Sequence, residues 1–524
     1  MLEKSFAESE LVLGLIGAVG TELDQIRREL ESRLKVIGYE VLHVKITEDV
    51  IPLLVNPKSW NKKDHHARIT SLMDAGNRAR EISNDNSILA LGAAAFISRK
   101  RPAIHANQKQ KPHRSKQAYI ISSIKHPEEV ARLRAIYPQG FYLIGVHDDY
   151  ERRLNFLTHD KRIDETLAKK LIERDADEHL PHGQRVVDTF HLSDFFVRND
   201  GEEVGLKKSL WRLLGLLFGH PYVTPTFDEY AMFLAFSSSL RSADLSRQVG
   251  CVIAVDERII ATGANDCPRA GGGQYWPEAD KMPLDIQFPA DGRDFAKGFD
   301  TNKREQQKII DQILDKAVSL GVPREAMTDA IRTCRIRDLT EFGRVVHAEM
   351  DALLSCARGQ ISTLRGTLYS TTLPCHNCAK HIISAGIKKV IFIEPYQKSK
   401  AQEFHEDSIR IGFNANSAVT DDPRPMVHFE PFVGVGPRRF FDLFSVQLGS
   451  GYPVERKNKG DGTRLDWKPE NGTLRLQMLP ASYLDLEIIA SDMFNEHRLS
   501  KEAHDGTKTR KKSKRIKGKK IKRI

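Results

Sequence analysis

Cysteine is scarce, at six in 524 residues. That is too few to staple a chain of this size with disulfides, so a reducing, cytoplasmic setting is expected. Long apolar runs are lacking too. The longest, Leu11–Gly20 and Ser87–Ile97, fall well short of the roughly 18 residues a membrane span needs. The first of these has the look of an export leader's core. Glu3, Glu8 and Glu10 precede it against a single Lys4, which is the wrong start for one, and no membrane partner is expected. A surplus of one charge is also missing from almost the whole chain. The formal net charge is +10, yet residues 501–524 hold twelve Lys/Arg and two Asp/Glu, and the first 500 residues hold 68 of each sign. The surplus describes a tail and not the folded body.

Hydrophobic residues make up 40% and charged residues 29%, the balance of an ordinary globular protein, and the length calls for two or three domains. The first two hundred residues alternate between strand and helix patterns. Leu11–Ile16 reads as a strand, Glu22–Leu34 as a helix and Tyr39–Ile46 as β-like. Ala118–Ile124, Pro127–Ile136 and Phe141–Val146 repeat strand, helix, strand. Such alternation predicts a parallel sheet covered on both faces. The basic stretch Arg99–Lys116 reads as a loop. A boundary is expected near His220–Pro225, after the helix-like Leu210–Phe218.

From Phe227 a second α/β pattern begins. Helix Asp228–Leu240 and strands Gly250–Val255 and Ile259–Gly263 come first. A polar stretch containing helix Lys303–Leu320 follows. Helix Ala348–Cys356, strand Thr367–Thr372, helix Cys378–Ala385 and strand Lys389–Ile393 complete it. The expected domains are 1–220, 221–445, a C-terminal extension 446–500 and a basic disordered tail 501–524.

The chemistry is concentrated in His347-Ala348-Glu349 and Pro374-Cys375-His376-Asn377-Cys378. One imidazole and two thiolates suit three corners of a tetrahedral Zn²⁺, leaving the fourth for water. His381, one helical turn beyond Cys378, is a conceivable fourth ligand that would close the site. Both halves of the motif stand at expected helix starts, where free N–H groups and the helix dipole favour thiolate. Glu349, two residues from His347, can face the same water without binding the metal and can move its proton. His-x-Glu followed by Pro-Cys-x-x-Cys is the signature of zinc nucleobase deaminases, whose activated water attacks the amino-bearing ring carbon.

Flanking residues extend the likeness. Ser246-Arg247-Gln248-Val249-Gly250, Thr262-Gly263-Ala264-Asn265-Asp266-Cys267-Pro268 and Thr371-Thr372-Leu373 make residues 227–445 resemble deoxycytidylate deaminases of the cytidine deaminase superfamily. The resemblance implies a C-terminal α/β/α cytidine-deaminase-like domain and a nucleotide substrate. It further implies that Asn265 hydrogen-bonds the deoxyribose, with Arg247 and Tyr396 as further substrate contacts. Ala264 stands where that family usually has Tyr, and Asp266 where it has Gly. For Arg247 a strand-end role, and for Tyr396 simple packing, remain open.

Gly14-Leu15-Ile16-Gly17-Ala18-Val19-Gly20-Thr21 follows a strand and opens a helix, as a phosphate-binding loop does. Gly14, Gly17, Gly20 and Thr21 are the candidate nucleotide contacts. Gly20 stands where a full P-loop has lysine, so nucleotide sensing or a structural role is expected before phosphoryl transfer. A P-loop-like N-terminal parallel-sheet domain joined to a deoxycytidylate deaminase resembles bacterial anti-phage deoxycytidine nucleotide deaminases. That likeness implies conversion of dCTP and dCMP to dUTP and dUMP, a homo-oligomer, and in some relatives an inhibitory small RNA. The tail can hold RNA phosphates without reading sequence. The competing readings are a nucleic-acid base deaminase, a nucleotide-sensing regulator with a silent site, and a kinase–deaminase.

Overall fold

The computed structural model describes residues 9–56, 64–101, 114–176, 178, 182–277, 292–332, 334, 336, 339, 341–395, 399–413, 425–447, 453–480 and 482–498. Tyr396, the tail 501–524 and most of the expected loop Arg99–Lys116 lie outside them. The chain forms two compact units, one of residues 1–225 with 433–524 and one of residues 226–432.

The first unit is built on strands β1 (Leu11–Gly17), β2 (Glu40–Lys45), β3 (Gln117–Ser122), β4 (Phe141–His147) and β5 (Phe195–Arg198). Their order, β5-β4-β1-β3-β2, is parallel throughout and puts β1 at the centre. Every residue of β1 and β3 is buried, as a parallel strand covered on both faces requires. The main helices are α1 (Leu23–Val36), α2 (His65–Ser83), α3 (Ile88–Lys100), α4 (Pro127–Ile136), α5 (Glu165–Ala176) and α6 (Glu203–Leu217). Helix α3 is apolar all round and buried nearly throughout, which is why its sequence shows no amphipathic stripe. It ends at Lys100, so the expected loop starts two residues late.

The extension expected from 446 does not stand apart. Gly434–Val435 pairs antiparallel with β5 and begins a return of the chain to the first unit. Residues 482–498 are helical. Glu487 from this helix and Glu10 clamp the buried Arg101 at 2.7 and 2.5 Å, and Tyr137 donates to Glu487. A buried cation held by two carboxylates fixes the C-terminal helix against the start of β1.

In the second unit, β6 (Gly250–Val255) and β7 (Arg258–Ala264) form a hairpin, and β8 (Thr367–Thr372) pairs antiparallel with β6. Strands β9 (Lys389–Glu394), β10 (Ile409–Ile411) and β11 (Val427–Pro431) continue in parallel to give the order β10-β11-β9-β8-β6-β7. The helices that position the site and its surroundings are α7 (Phe227–Ser239), α8 (Thr301–Ser319), α9 (Ala348–Arg358) and α10 (His376–Ser384). Thr226 and Glu229 form a capping box at the start of α7. The compact unit runs from 226 to 432.

Two glycines set how closely α7 and α9 lie on the sheet. A Cβ on Gly250 would stand 1.9 Å from the Ala235 carbonyl oxygen, and one on Gly263 would stand 2.1 Å from that of Ala348. Adjacent residues point to opposite faces, so Gly250 meets α7 while Cys251 and its partner Gly263 face α9. The two helices thus cover opposite sides of the β6–β7 hairpin. No helix among the described residues is long and apolar enough to cross a membrane. Gly263→Ala is expected to push α9 outward and to cost about 1–3 kcal/mol, the usual penalty of overpacking. A lowered urea midpoint at unchanged slope checks this, and an unchanged midpoint contradicts it.

Candidate active site

His347 and Cys375 occupy the N-cap positions of α9 and α10, each with extended backbone. Cys378 follows one turn into α10. The parallel pair β8–β9 carries the chain into and out of α10, so its start faces that of α9. Asp266 and Val346 exchange backbone hydrogen bonds at 3.3 and 3.0 Å, which joins the end of β7 to the residue before His347. Asp351 adds a second tie by accepting from the Ala264 N–H at 3.3 Å.

These constraints bring three soft donors together. His347 Nδ1 stands 3.4 Å from Cys375 Sγ and 3.3 Å from Cys378 Sγ. All three donor atoms lie within 4.8 Å of one another. A tetrahedral ion with Zn–S of about 2.3 Å and Zn–N of about 2.0 Å would set sulfur and nitrogen about 3.5 Å apart. The donor set fits a zinc-sized ion. His381 is exposed on α10 and stands outside this cluster, so three protein donors leave a fourth position open.

Glu349 reaches the same point from the first turn of α9. Its Oε2 lies 3.5 Å from Cys378 Sγ, and the residue is 4% exposed. Burial pushes its carboxyl above the ordinary carboxylate range. The thiols part in character. A hydrogen bond from Cys378, with a second from His347, pulls Cys375 down to about 3, while Cys378 is driven well above its ordinary value. His347 rises to about 9 through its bond to Cys375.

A cavity of about 230 Å³ opens over this cluster. Glu349, His347 and Cys375 form part of its wall, with Arg247 and Asn265. The Asn265 side chain is committed to the backbone: its Nδ2 donates to Arg247 O at 2.8 Å and its Oδ1 accepts from Val249 N at 2.7 Å. It fixes the entry to β6 as well as lining the cavity. Arg247 forms an ion pair with Glu394, whose other oxygen accepts from Thr372 Oγ1 at 3.1 Å. Asp294, Asp300, Asn302 and Arg344 line the same cavity, and no motif announced them. They come from the polar stretch between β7 and His347, where Arg344 donates to Asp294 at 2.7 Å and Asn302 to Leu339 O at 2.8 Å.

The glycine-rich loop has the strand–turn–helix course expected of it. Gly14 sits inside β1, where a Cβ would stand 2.7 Å from Ile124 and 2.9 Å from Phe141, so its small size serves packing. Gly17 ends the strand and Gly20 turns at φ +91°. The Val19 N–H donates to Asp175 at 2.6 Å, and Thr21 Oγ1 is buried without a partner.

Comparison with known proteins bears on the second unit. The family model described as the cytidine and deoxycytidylate deaminase zinc-binding region matches residues 225–394. A deoxycytidylate deaminase of Enterobacteria phage T2 is 32% identical over 168 residues, covering 32% of this chain and 79% of that protein. One from Saccharomyces cerevisiae is 26% identical over 276 residues, 50% of this chain and 70% of that protein. A crystal structure of dCMP deaminase from the cyanophage S-TIM5 matches at 18% identity over 40% of this chain and 100% of that one, with a TM-score of 0.23, too low to carry an argument. The fold and the site define a hydrolytic enzyme centre built on an open His/Cys/Cys donor set. The chain belongs to the cytidine and deoxycytidylate deaminase family, and it is a deaminase.

Replacing His347, Cys375 or Cys378 with alanine is expected to lower bound divalent metal by more than the roughly 10–100-fold that loss of an outer-sphere partner costs. Elemental analysis of the folded variants reads this. Metal content equal to that of the unaltered chain contradicts the assignment.

Proposed function

We propose that the chain catalyses zinc-dependent hydrolytic deamination of deoxycytidine nucleotides, dCMP or dCTP, to the deoxyuridine nucleotides. One observation carries the reading: a buried carboxylate, Glu349, beside a His347–Cys375–Cys378 donor set on the wall of a cavity. The names of the similar proteins supply the substrate class. Zinc, when bound, supplies the Lewis acidity that makes water a nucleophile near neutral pH.

The chain's own residues do the rest. Glu349 takes a proton from the attacking water and hands one to the amino group that leaves as ammonia. Its burial keeps that proton from bulk solvent. Asn265 and Arg247 hold the nucleotide at the entry to β6, and the bond of Asn265 to the backbone fixes that entry before substrate arrives. Tyr396 is a further substrate contact. Depletion of dCTP during phage infection is the use that this activity would serve, with the N-terminal loop sensing nucleotide and the basic tail contacting an inhibitory RNA.

The test is ammonia release from dCMP, dCTP, cytidine and single-stranded DNA in parallel. Turnover of a deoxycytidine nucleotide is expected. Glu349→Gln should cut it by about 10²–10⁴-fold, the usual worth of a general acid–base group, with metal content unchanged. Activity on the strand alone, or full activity in the variant, overturns the proposal.

A further inference from the structure

A cavity of about 160 Å³ lies in the first unit, where the chain leaves the carboxyl ends of β1 and β3. The strand order makes this a switch point, since β3 and β4 follow each other in sequence but flank β1 on opposite sides. Ligands of open α/β sheets settle at such points. Ile51, Met73 and Leu89 form part of an apolar wall, and Lys125 and Asp175 form a charged end.

That charged end is arranged as an anion seat. The Asp175 carboxylate accepts from the Val19 N–H at 2.6 Å and from Lys125 Nζ at 2.9 and 3.1 Å. Lys125 also donates to Gly17 O at 2.9 Å. An ammonium from beyond β3 therefore stands at the loop after β1, where the loop's own sequence lacks lysine. Two residues of the wall each carry a buried polar atom without a hydrogen-bond partner: Gln184, 6% exposed, at Oε1, and Arg80, 2% exposed, at Nε. A buried polar group without a partner destabilises the fold, so a wall whose residues keep two of them is built for a polar guest.

We propose that this cavity binds a small molecule with a compact, single-ring body and one anionic group, phosphate or carboxylate, which displaces Asp175 from Val19 N–H and Lys125. The volume sets the size, because an apolar cavity of about 150 Å³ takes up benzene. Ring heteroatoms meet Gln184 and Arg80. The site uses only residues of the first unit and does not depend on the deaminase reading.

Titration calorimetry of the full chain with phenyl phosphate and with benzoate tests this, and the two arms separate phosphate from carboxylate. Saturable binding of at least one probe is expected. It should weaken at least tenfold in Lys125→Met and in Gly76→Leu. The latter fills the cavity from α2, where a Cβ meets nothing closer than 3.6 Å. Asp175→Asn, which removes the internal competitor, should tighten it several-fold. Thermal melting verifies that each variant is folded. No saturable binding of either probe, or equal affinity in folded Lys125→Met and Gly76→Leu, overturns the site. An affinity unchanged or weakened by Asp175→Asn overturns the displacement.

Discussion

Everything at the catalytic centre depends on how closely α9 lies on the β6–β7 hairpin. Gly263 has no side chain under the Ala348 carbonyl, so the helix start comes down to backbone contact with the strand. Asp266 and Val346 then hold the preceding residues in register, and Asp351 ties the same helix to Ala264. With α9 fixed, His347 and Glu349 have a single depth below the cavity. The β8–β9 pair brings Cys375 and Cys378 to that depth from the other side. The donor geometry is thus a consequence of sheet packing and does not wait for an ion to gather it.

The members of the His347–Cys375–Cys378 donor cluster were legible because chemistry constrains them locally. A ligand, a carboxylate two residues on and a Pro-Cys-x-x-Cys turn specify one another at short range. Strands such as Gly250–Val255, an apolar run, and Thr367–Thr372, rich in threonine with one tyrosine, were readable to the residue because β-branched and aromatic members favour the pleated sheet. The long-range arrangement was not. Nothing local in Gly434–Val435 announces that it pairs with β5, and the helix at 482–498 is held by Glu487 on Arg101, a contact almost four hundred residues long. Asp294, Asp300, Asn302 and Arg344 escaped notice for the same reason. They are polar residues in a polar stretch, and only the fold carries them to the cavity wall.

Asn265 shows a different limit of reading by resemblance. The resemblance implies that it hydrogen-bonds a deoxyribose; in the structure it lines the cavity and its amide spends two hydrogen bonds on the backbone of Arg247 and Val249. Position and hydrogen-bond commitment are separate facts, and sequence gives only the first. The glycine-rich loop makes the same point in the first unit. The turn is where the pattern put it, yet the anion on its N–H is the chain's own Asp175 and the nearby cation is Lys125. A motif scan sees the missing lysine and cannot see which charged groups the fold brings to the loop.

The central claim is that three protein donors hold an open zinc ion beside Glu349. X-ray absorption at the zinc edge of the purified chain tests it most directly. The account predicts one zinc per chain with two sulfur neighbours at about 2.3 Å, one imidazole nitrogen at about 2.0 Å and one exchangeable light ligand. A second imidazole or a third sulfur completing a closed protein shell, or a chain that folds without taking up zinc, would contradict it.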